Sequence, residues 1–320
     1  MKRKKVVKGI RIALGVIAIL VVVLGLVATG VLGSMVSKGV LYQNDGKDTH
    51  DNSLKQLETW EYDLEGFLAA HEGKDVTAEA EDGNRVPGTY FGEGNETCVV
   101  LVHGAGGDRY VMYPLAEQYL ERGYDVISID QRGSGVNPDP KVTFGIHESL
   151  DVKAMVELAR TELSYETVFV HGQSMGGQTV ALYASNVTPG ETGAADAVVL
   201  DSPVPGMELM LLEMFGDGNT KDPFARYLAA SGKIYMKLVD HIDYDDADTI
   251  EIVKKDQIPT MLIVSDRDEV CLPDQEEALY ANIGSENKTI MHVDSVHIEG
   301  VIVDPEGYMK GTMEFLGSIK

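Results

Sequence analysis

The sequence predicts an α/β fold, a mainly parallel central sheet with helices on both faces, and three observations carry that prediction. Short apolar runs with many β-branched residues recur along the chain: Cys98 to Val102, Asp125 to Ile129, Thr167 to Val170, Ala197 to Leu200, Thr260 to Val264 and Lys288 to Val293. Segments of helical length alternate with them, among them Val111 to Arg122 and His147 to Leu163, and that alternation is the pattern of crossovers between parallel strands. Finally, 320 residues with 44% hydrophobic content suffice for one large domain with a buried core, plus short additions.

In chain order, the amino end stands apart. Lys2-Arg3-Lys4-Lys5, Lys8 and Arg11 precede Ile12 to Val36, which holds no charged residue and only Thr29 and Ser34 as hydroxyl side chains. A helix of roughly 20 apolar residues crosses a bilayer, and a basic flank stays cytoplasmic. The expectation is a cytoplasmic basic segment over 1–11 and an uncleaved transmembrane signal anchor over 12–36, with the rest of the chain extracytoplasmic at the cell membrane. A cleaved signal peptide competes; its apolar region is usually shorter, about 7 to 15 residues, and no clear A-x-A site follows this run. A buried soluble helix fits poorly, because the run is apolar all round.

Residues 37–73 read as a polar tether, Tyr42 to His50, then a helix from a Ser53 cap to Ala70. The main domain is expected over 74–320. It opens with a hairpin, Val76 to Ala80 and Val86 to Phe91 around the turn signal Asp82-Gly83-Asn84, placed at the sheet edge. Almost sixty residues separate the strand ending near Asp201 from the one starting near Thr260, more than one crossover needs, and about 204–250 reads as a small helical cap. Met207 to Phe215 and Phe224 to Val239 have helical spacing there and many Met, Leu, Phe and Tyr side chains.

Chemistry gathers where the strands end. Gly172-Gln173-Ser174-Met175-Gly176 follows the strand Thr167 to Val170 and fits G-x-S-x-G, in which small neighbours let a serine occupy a strained strand-to-helix corner. A serine hydroxyl needs a base, an orienting acid and donors for an oxyanion. Asp266, Asp268 and Glu269 follow one strand, Asp201 ends another, and each is a candidate acid. His292 lies inside the last strand whereas His297 lies in the loop after it, so His297 is favoured as base. The ends of parallel strands share one sheet edge, where distant residues meet. Upstream, Val99 to Val102 runs into His103-Gly104-Ala105-Gly106-Gly107, a glycine-rich turn suited to hold an oxyanion. Its donors would be the N–H groups of Ala105 and Met175.

With His103 to Gly107, Asp130-Gln131-Arg132-Gly133-Ser134-Gly135, the Ser174 corner, the Asp268 turn and the His297 loop in this order, the chain over roughly 74–318 resembles the α/β-hydrolase superfamily. Within it the chain is similar to bacterial membrane-anchored serine hydrolases, of the esterase, lipase or S33 serine aminopeptidase kind. The resemblance implies an α/β-hydrolase fold, with Ser174 as nucleophile, His297 as base and Asp268 as acid, the family's acid commonly lying two residues before a valine, here Val270. It implies an acyl-enzyme route to carboxylic ester hydrolysis. Gln173 departs from the family's frequent histidine without removing any of those roles.

The remaining residues narrow the partners. His103 and His171 are expected to orient loops, and His50, His71, His147 and His241 to be surface or packing residues. No His or Cys spacing suggests a metal, the acidic stretch Asp243 to Asp248 lacks the glycine and final Glu of a calcium loop, and no cofactor is called for. Residues 1–35 hold six of the 27 basic residues and none of the 51 acidic ones, so the remainder carries 21 against 51, or −30, which argues against nucleic acid. Cys98 and Cys271 are expected to be free thiols, an oxidised pair remaining the alternative. The partners expected are the membrane and a small-molecule ester, thioester or amide. An apolar cap would form an acyl or aromatic pocket over Ser174, or its helices would merely pack on the domain. The acidic Asp240 to Asp248 stretch keeps an aminopeptidase or amidase open, a thioesterase shares the machinery, and a non-catalytic surface binding domain is the reading from another class.

Overall fold

A computed structural model of the chain describes residues 2–43 and 46–319. Asn44 and Asp45, in the middle of the expected tether, lie outside them. Lys2–Leu41 forms one helix, α1, extending past both ends of the expected span. Its Val7–Leu41 part is long and apolar enough, by length and composition, to cross a membrane, with mean hydropathy 3.0 over an 18-residue stretch. The chain divides into two compact units: the residues through Val40 with Leu211–Tyr244, and Leu41–Met210 with Asp245–Lys320.

The larger unit is built on eight strands: β1 (Lys74–Glu79), β2 (Arg85–Phe91), β3 (Thr97–Val102), β4 (Asp125–Ile129), β5 (Thr167–Gln173), β6 (Ala197–Asp201), β7 (Thr260–Ser265) and β8 (Lys288–Val293). Their order in the sheet is β1-β2-β4-β3-β5-β6-β7-β8. β1 and β2 pair antiparallel with Glu79 opposite Arg85, closing the hairpin around Gly83 at φ 87°. β2 is antiparallel to β4, and every pair from β4 through β3 to β8 is parallel. Successive residues of β3 alternate between two cores. Val100 and Val102 pack with Met155, Val156 and Val180, while Val99 and Leu101 pack with Tyr113, Tyr119, Tyr308 and Phe315. Both faces of the sheet are therefore covered, and β3 to β7 are buried almost throughout, as the parallel part of a sheet requires, while the edge strands β1 and β8 remain largely open.

The further helices in chain order are α2 (Gly46–Thr59), α3 (Leu64–Ala70), α4 (Tyr113–Leu120), α5 (Glu148–Thr161), α6 (Met175–Asn186), α7 (Met207–Gly216), α8 (Pro223–Tyr235), α9 (Thr249–Ile252), α10 (Pro273–Asn282), α11 (Gly300–Val303) and α12 (Pro305–Leu316). Two local expectations need correction. Helix, not tether, begins at Gly46, and the helix expected from Ser53 to Ala70 is two helices. The chain turns through Glu61 at φ 54°, and Asp63 restarts it by accepting the Gly66 N–H at 2.9 Å. α8 stops at Tyr235, and a π-helical turn, Met236–Asp240, ends at His241 in the left-handed region, φ 61°.

Candidate active site

β5 runs on through Gln173, and α6 starts at Met175, leaving Ser174 alone at the corner with φ 57° and ψ −120°. For a residue with a side chain this is a strained backbone, held by its surroundings. The Ser174 N–H donates to the Asp201 carbonyl at 2.8 Å. A Cβ on Gly176 would lie 2.1 Å from the Val102 carbonyl oxygen, and one on Gly172 would lie 2.2 Å from the Gly176 oxygen. The glycines thus let the corner press against the end of β3. Ser174 itself is 8% exposed.

Two loops at the same sheet edge complete the arrangement. After β7, Asp268 is buried; its Oδ1 accepts from the N–H groups of Val270 (2.7 Å) and Cys271 (2.9 Å), and its Oδ2 lies 2.6 Å from His297 Nδ1. His297 Nε2 lies 2.8 Å from Ser174 Oγ. With the Nδ1 proton directed at the carboxylate, Nε2 is the acceptor for the serine proton. A hydroxyl so placed can attack an electrophile as its proton passes to the ring, and the buried carboxylate stabilises the resulting imidazolium. The competing acids and base go elsewhere. Asp266 pairs with His292 at 2.8 Å on the surface, and Glu269 is exposed.

The other two positions expected of the site flank the corner. Met175 is the first residue of α6, so its N–H belongs to the donors that a helix leaves without an intrahelical acceptor. Ala105 follows Gly104, where a Cβ would stand 3.1 Å from Ser174 Cβ. His103 Nδ1 lies 2.7 Å from the Gly104 carbonyl and its Nε2 accepts from Gln131 N–H at 3.0 Å, so this ring does orient the loop. Burial pushes its basicity down, keeping it neutral.

α2 supplies groups that no motif had marked. Asn52 Nδ2 donates to the Gly106 carbonyl (3.1 Å), Ser53 Oγ accepts from Asp108 N–H (2.8 Å), and His50 Nδ1 meets Asp108 Oδ2 (2.7 Å). His50 is thereby a loop-holding residue rather than a bare surface one. Between α2 and the Gly104–Gly107 turn lies a cavity of about 400 Å³, bordered also by Lys55, Gln56 and Ile298.

Behind the corner a second histidine sits in a buried network. His171 is fully buried between two phenols, Tyr119 Oη at 2.9 Å from Nδ1 and Tyr308 Oη at 3.0 Å from Nε2. Tyr308 donates to Asp201 Oδ2 (2.7 Å), so its oxygen accepts from His171 Nε2–H, and Tyr119 donates to Nδ1. Burial holds the ring neutral, its pKa pushed down to about 3. Gln173 Nε2 donates to the same Asp201 carboxylate at 2.9 Å, so the residue that departs from the family pattern helps to tie up a competing acid. Burial raises the Asp201 pKa. Nearby Glu276 is pushed up to about 10 by burial and then by the charges of Asp268 and Asp201, and is protonated at neutral pH. Among the described residues, no group of three or more His, Cys, Asp or Glu is placed to hold a metal ion.

Known proteins share this architecture. The family model described as alpha/beta hydrolase fold matches residues 97–233. A thermostable monoacylglycerol lipase of Bacillus sp. (strain H-257) is 28% identical over 244 residues, 71% of this chain and 92% of that protein. Among solved structures, an esterase of Pyrococcus furiosus superposes with TM-score 0.63 at 22% identity, covering 80% of this chain and 95% of its own. An alpha-beta hydrolase from Vibrio vulnificus gives TM-score 0.60 at 19% identity, over 90% of this chain and 93% of the other.

Proposed function

Because the chain belongs to the α/β-hydrolase superfamily and is a hydrolase of that fold with esterase and lipase relatives, we propose that it is a serine hydrolase cleaving carboxylic esters through an acyl-enzyme intermediate. The observation that carries this reading is the unbroken relay from Asp268 Oδ2 to His297 (2.6 Å) and from His297 to Ser174 Oγ (2.8 Å). Ser174 attacks the ester carbonyl while His297 takes its proton, and the N–H groups of Ala105 and Met175 stabilise the oxyanion. His297 then protonates the departing alcohol. Water, deprotonated by His297, attacks the acyl-serine and releases the acid, restoring Ser174.

The cavity beside the Gly104–Gly107 turn is open to one half of the substrate, its wall mixing the amides of Asn52 and Gln56 with the apolar Val111 and Ile298. Ester rather than peptide substrates are supported by the likeness to the monoacylglycerol lipase of Bacillus sp.. The acidic stretch that would suit a peptide amine is engaged locally. Asp240 accepts from Ser37 at 2.7 Å, Asp243 pairs with Lys237, and Asp248 caps α9. The proposed place of action is a membrane, with α1 crossing it once, the amino end cytoplasmic and the catalytic unit extracytoplasmic.

The test compares hydrolysis of short p-nitrophenyl esters with that of aminoacyl anilides by the full chain and by Ser174→Ala. The expected outcome is ester turnover far above anilide turnover, lost by at least about 10³-fold in the variant. Ester turnover that survives in Ser174→Ala refutes the mechanism, and anilide preference refutes the substrate class.

A further inference from the structure

α2 forms one wall of the cavity beside the Gly104–Gly107 turn and presents Asn52, Lys55, Gln56 and Thr59 to it. These positions are related by steps of three and four residues, so they share one face of the helix. All the bordering residues belong to the larger unit. Among the described residues Lys55 is the only charged one at the cavity, and no carboxylate borders it. In a chain with 51 acidic and 27 basic residues, a wall that holds a lysine and no acid runs against the overall balance.

The polar groups of that face differ in how they are engaged. Asn52 Nδ2 donates to the Gly106 carbonyl at 3.1 Å, and Thr59 Oγ1 donates to the Lys55 carbonyl at 2.9 Å. The Lys55 ammonium and the Gln56 amide have no side-chain partner among the described residues. Asp51 and Glu58, the nearest acids on α2, lie outside the face that borders the cavity, and neither forms an ion pair with Lys55. An ammonium and an amide on one wall are donors suited to a carboxylate or phosphate, and a charge-assisted bond is roughly twice as strong as a neutral one.

The cavity also adjoins the reaction centre. Ala105 lies in its wall, and a Cβ on the neighbouring Gly104 would stand 3.1 Å from Ser174 Cβ. A net charge of −24 disfavours a polyanion, whose charges extend beyond the cavity, whereas a single anionic end is met locally by Lys55.

We propose that the preferred substrate is an ester with an anionic end, a carboxylate or a phosphate, on the half that enters this cavity. Lys55, assisted by the Gln56 amide, is then the residue that sets the specificity. This rests on the reading of the chain as an ester hydrolase, and the experiment keeps the two apart. The full chain in an uncharged detergent is given pairs of esters that differ in the anionic end. On the acyl side, p-nitrophenyl hemiesters of adipic and suberic acid are set against their ω-methyl esters. On the alcohol side, butyryl glycerol phosphate is set against monobutyrin. Each pair yields a ratio of kcat/KM, anionic over neutral, for wild type, Lys55→Gln, Lys55→Arg and Lys55→Glu. In one of the two series the ratio should fall about 10-fold in Lys55→Gln, fall further in Lys55→Glu, return in Lys55→Arg, and decline with added salt in the wild type. The series that responds identifies the half of the ester held in the cavity. Ratios within about twofold of wild type in Lys55→Gln and Lys55→Glu, in both series, overturn the proposal and leave ester hydrolysis standing. A wild type that turns over neither member of any pair overturns the esterase reading and the proposal together.

Discussion

Replacing Ser174 by glycine or by alanine should separate backbone strain from chemistry. Both variants lose the 2.8 Å hydrogen bond to His297 and the nucleophile. They differ in Cβ, which alanine keeps at φ 57° and ψ −120°. A side-chain-bearing residue in such a region is destabilised by about 1–3 kcal/mol. Glycine escapes that strain and loses about 0.5–1 kcal/mol more backbone entropy on folding. At the middle of these ranges Ser174→Gly is more stable than Ser174→Ala by about 1 kcal/mol, which in a domain of this size raises the midpoint by about 2–4 °C. In a regular helix or strand the order is reversed, so the sign is the informative quantity. Thermal unfolding of the full chain in one detergent, followed by near-ultraviolet circular dichroism, measures it. An alanine variant as stable as the glycine variant, or more so, refutes the claim that the corner is strained.

Other perturbations act on neighbouring parts of the same geometry. Asp268→Asn removes the anionic partner of His297 and should lower kcat by about 10³–10⁴-fold, whereas Asp266→Asn, whose pair with His292 is exposed, should leave it within about twofold; ester kinetics giving the opposite order contradict the assignment. Ser53→Ala leaves the buried Asp108 N–H without its 2.8 Å acceptor, and denaturation should show a loss of about 1–3 kcal/mol together with a fall in kcat as the Gly104–Gly107 turn shifts; unchanged stability and kcat would dismiss α2 as its support. His171, whose folded pKa of about 3 lies below its unfolded value near 6.5, contributes stability that is present above about pH 6.5 and is lost as pH falls towards 3. His171→Gln should therefore flatten the acid limb by on the order of 5 kcal/mol in denaturant unfolding across that window, and an unaltered slope would place the acid sensitivity elsewhere.

How much of this was legible beforehand depends on whether the signal is local. β4 and β8 occupy the residues expected of them, and Asp82-Gly83-Asn84 announces the hairpin because its turn chemistry is contained in three residues. The Ser174 corner is equally local, since its two glycines are dictated by contacts within a few ångströms. The choice among Asp266, Asp268 and Glu269 was not local. It turns on Asp268 being buried and directed at His297 while Asp266 points to a surface histidine, and spacing alone does not contain those directions. The part α2 plays at the site was hidden for the same reason: a helix was expected from Ser53, but Asn52 and Ser53 bond to residues 54 and 55 positions away. The break before α3 depends on one capping carboxylate, Asp63, which hydrophobic periodicity does not register. The network of His171, Tyr308, Asp201 and Gln173 draws on β5, β6 and α12, and only the folded sheet brings them together.

The central claim is that Ser174 is the nucleophile, and the most direct measurement is the site of covalent modification. The full chain is treated with a fluorophosphonate, digested, and the phosphonylated residue located by fragment-ion mass spectrometry. The account predicts one adduct, on Ser174, absent from both His297→Ala and Ser174→Ala. An adduct on another residue, or no adduct on a folded chain that turns over esters, would contradict it.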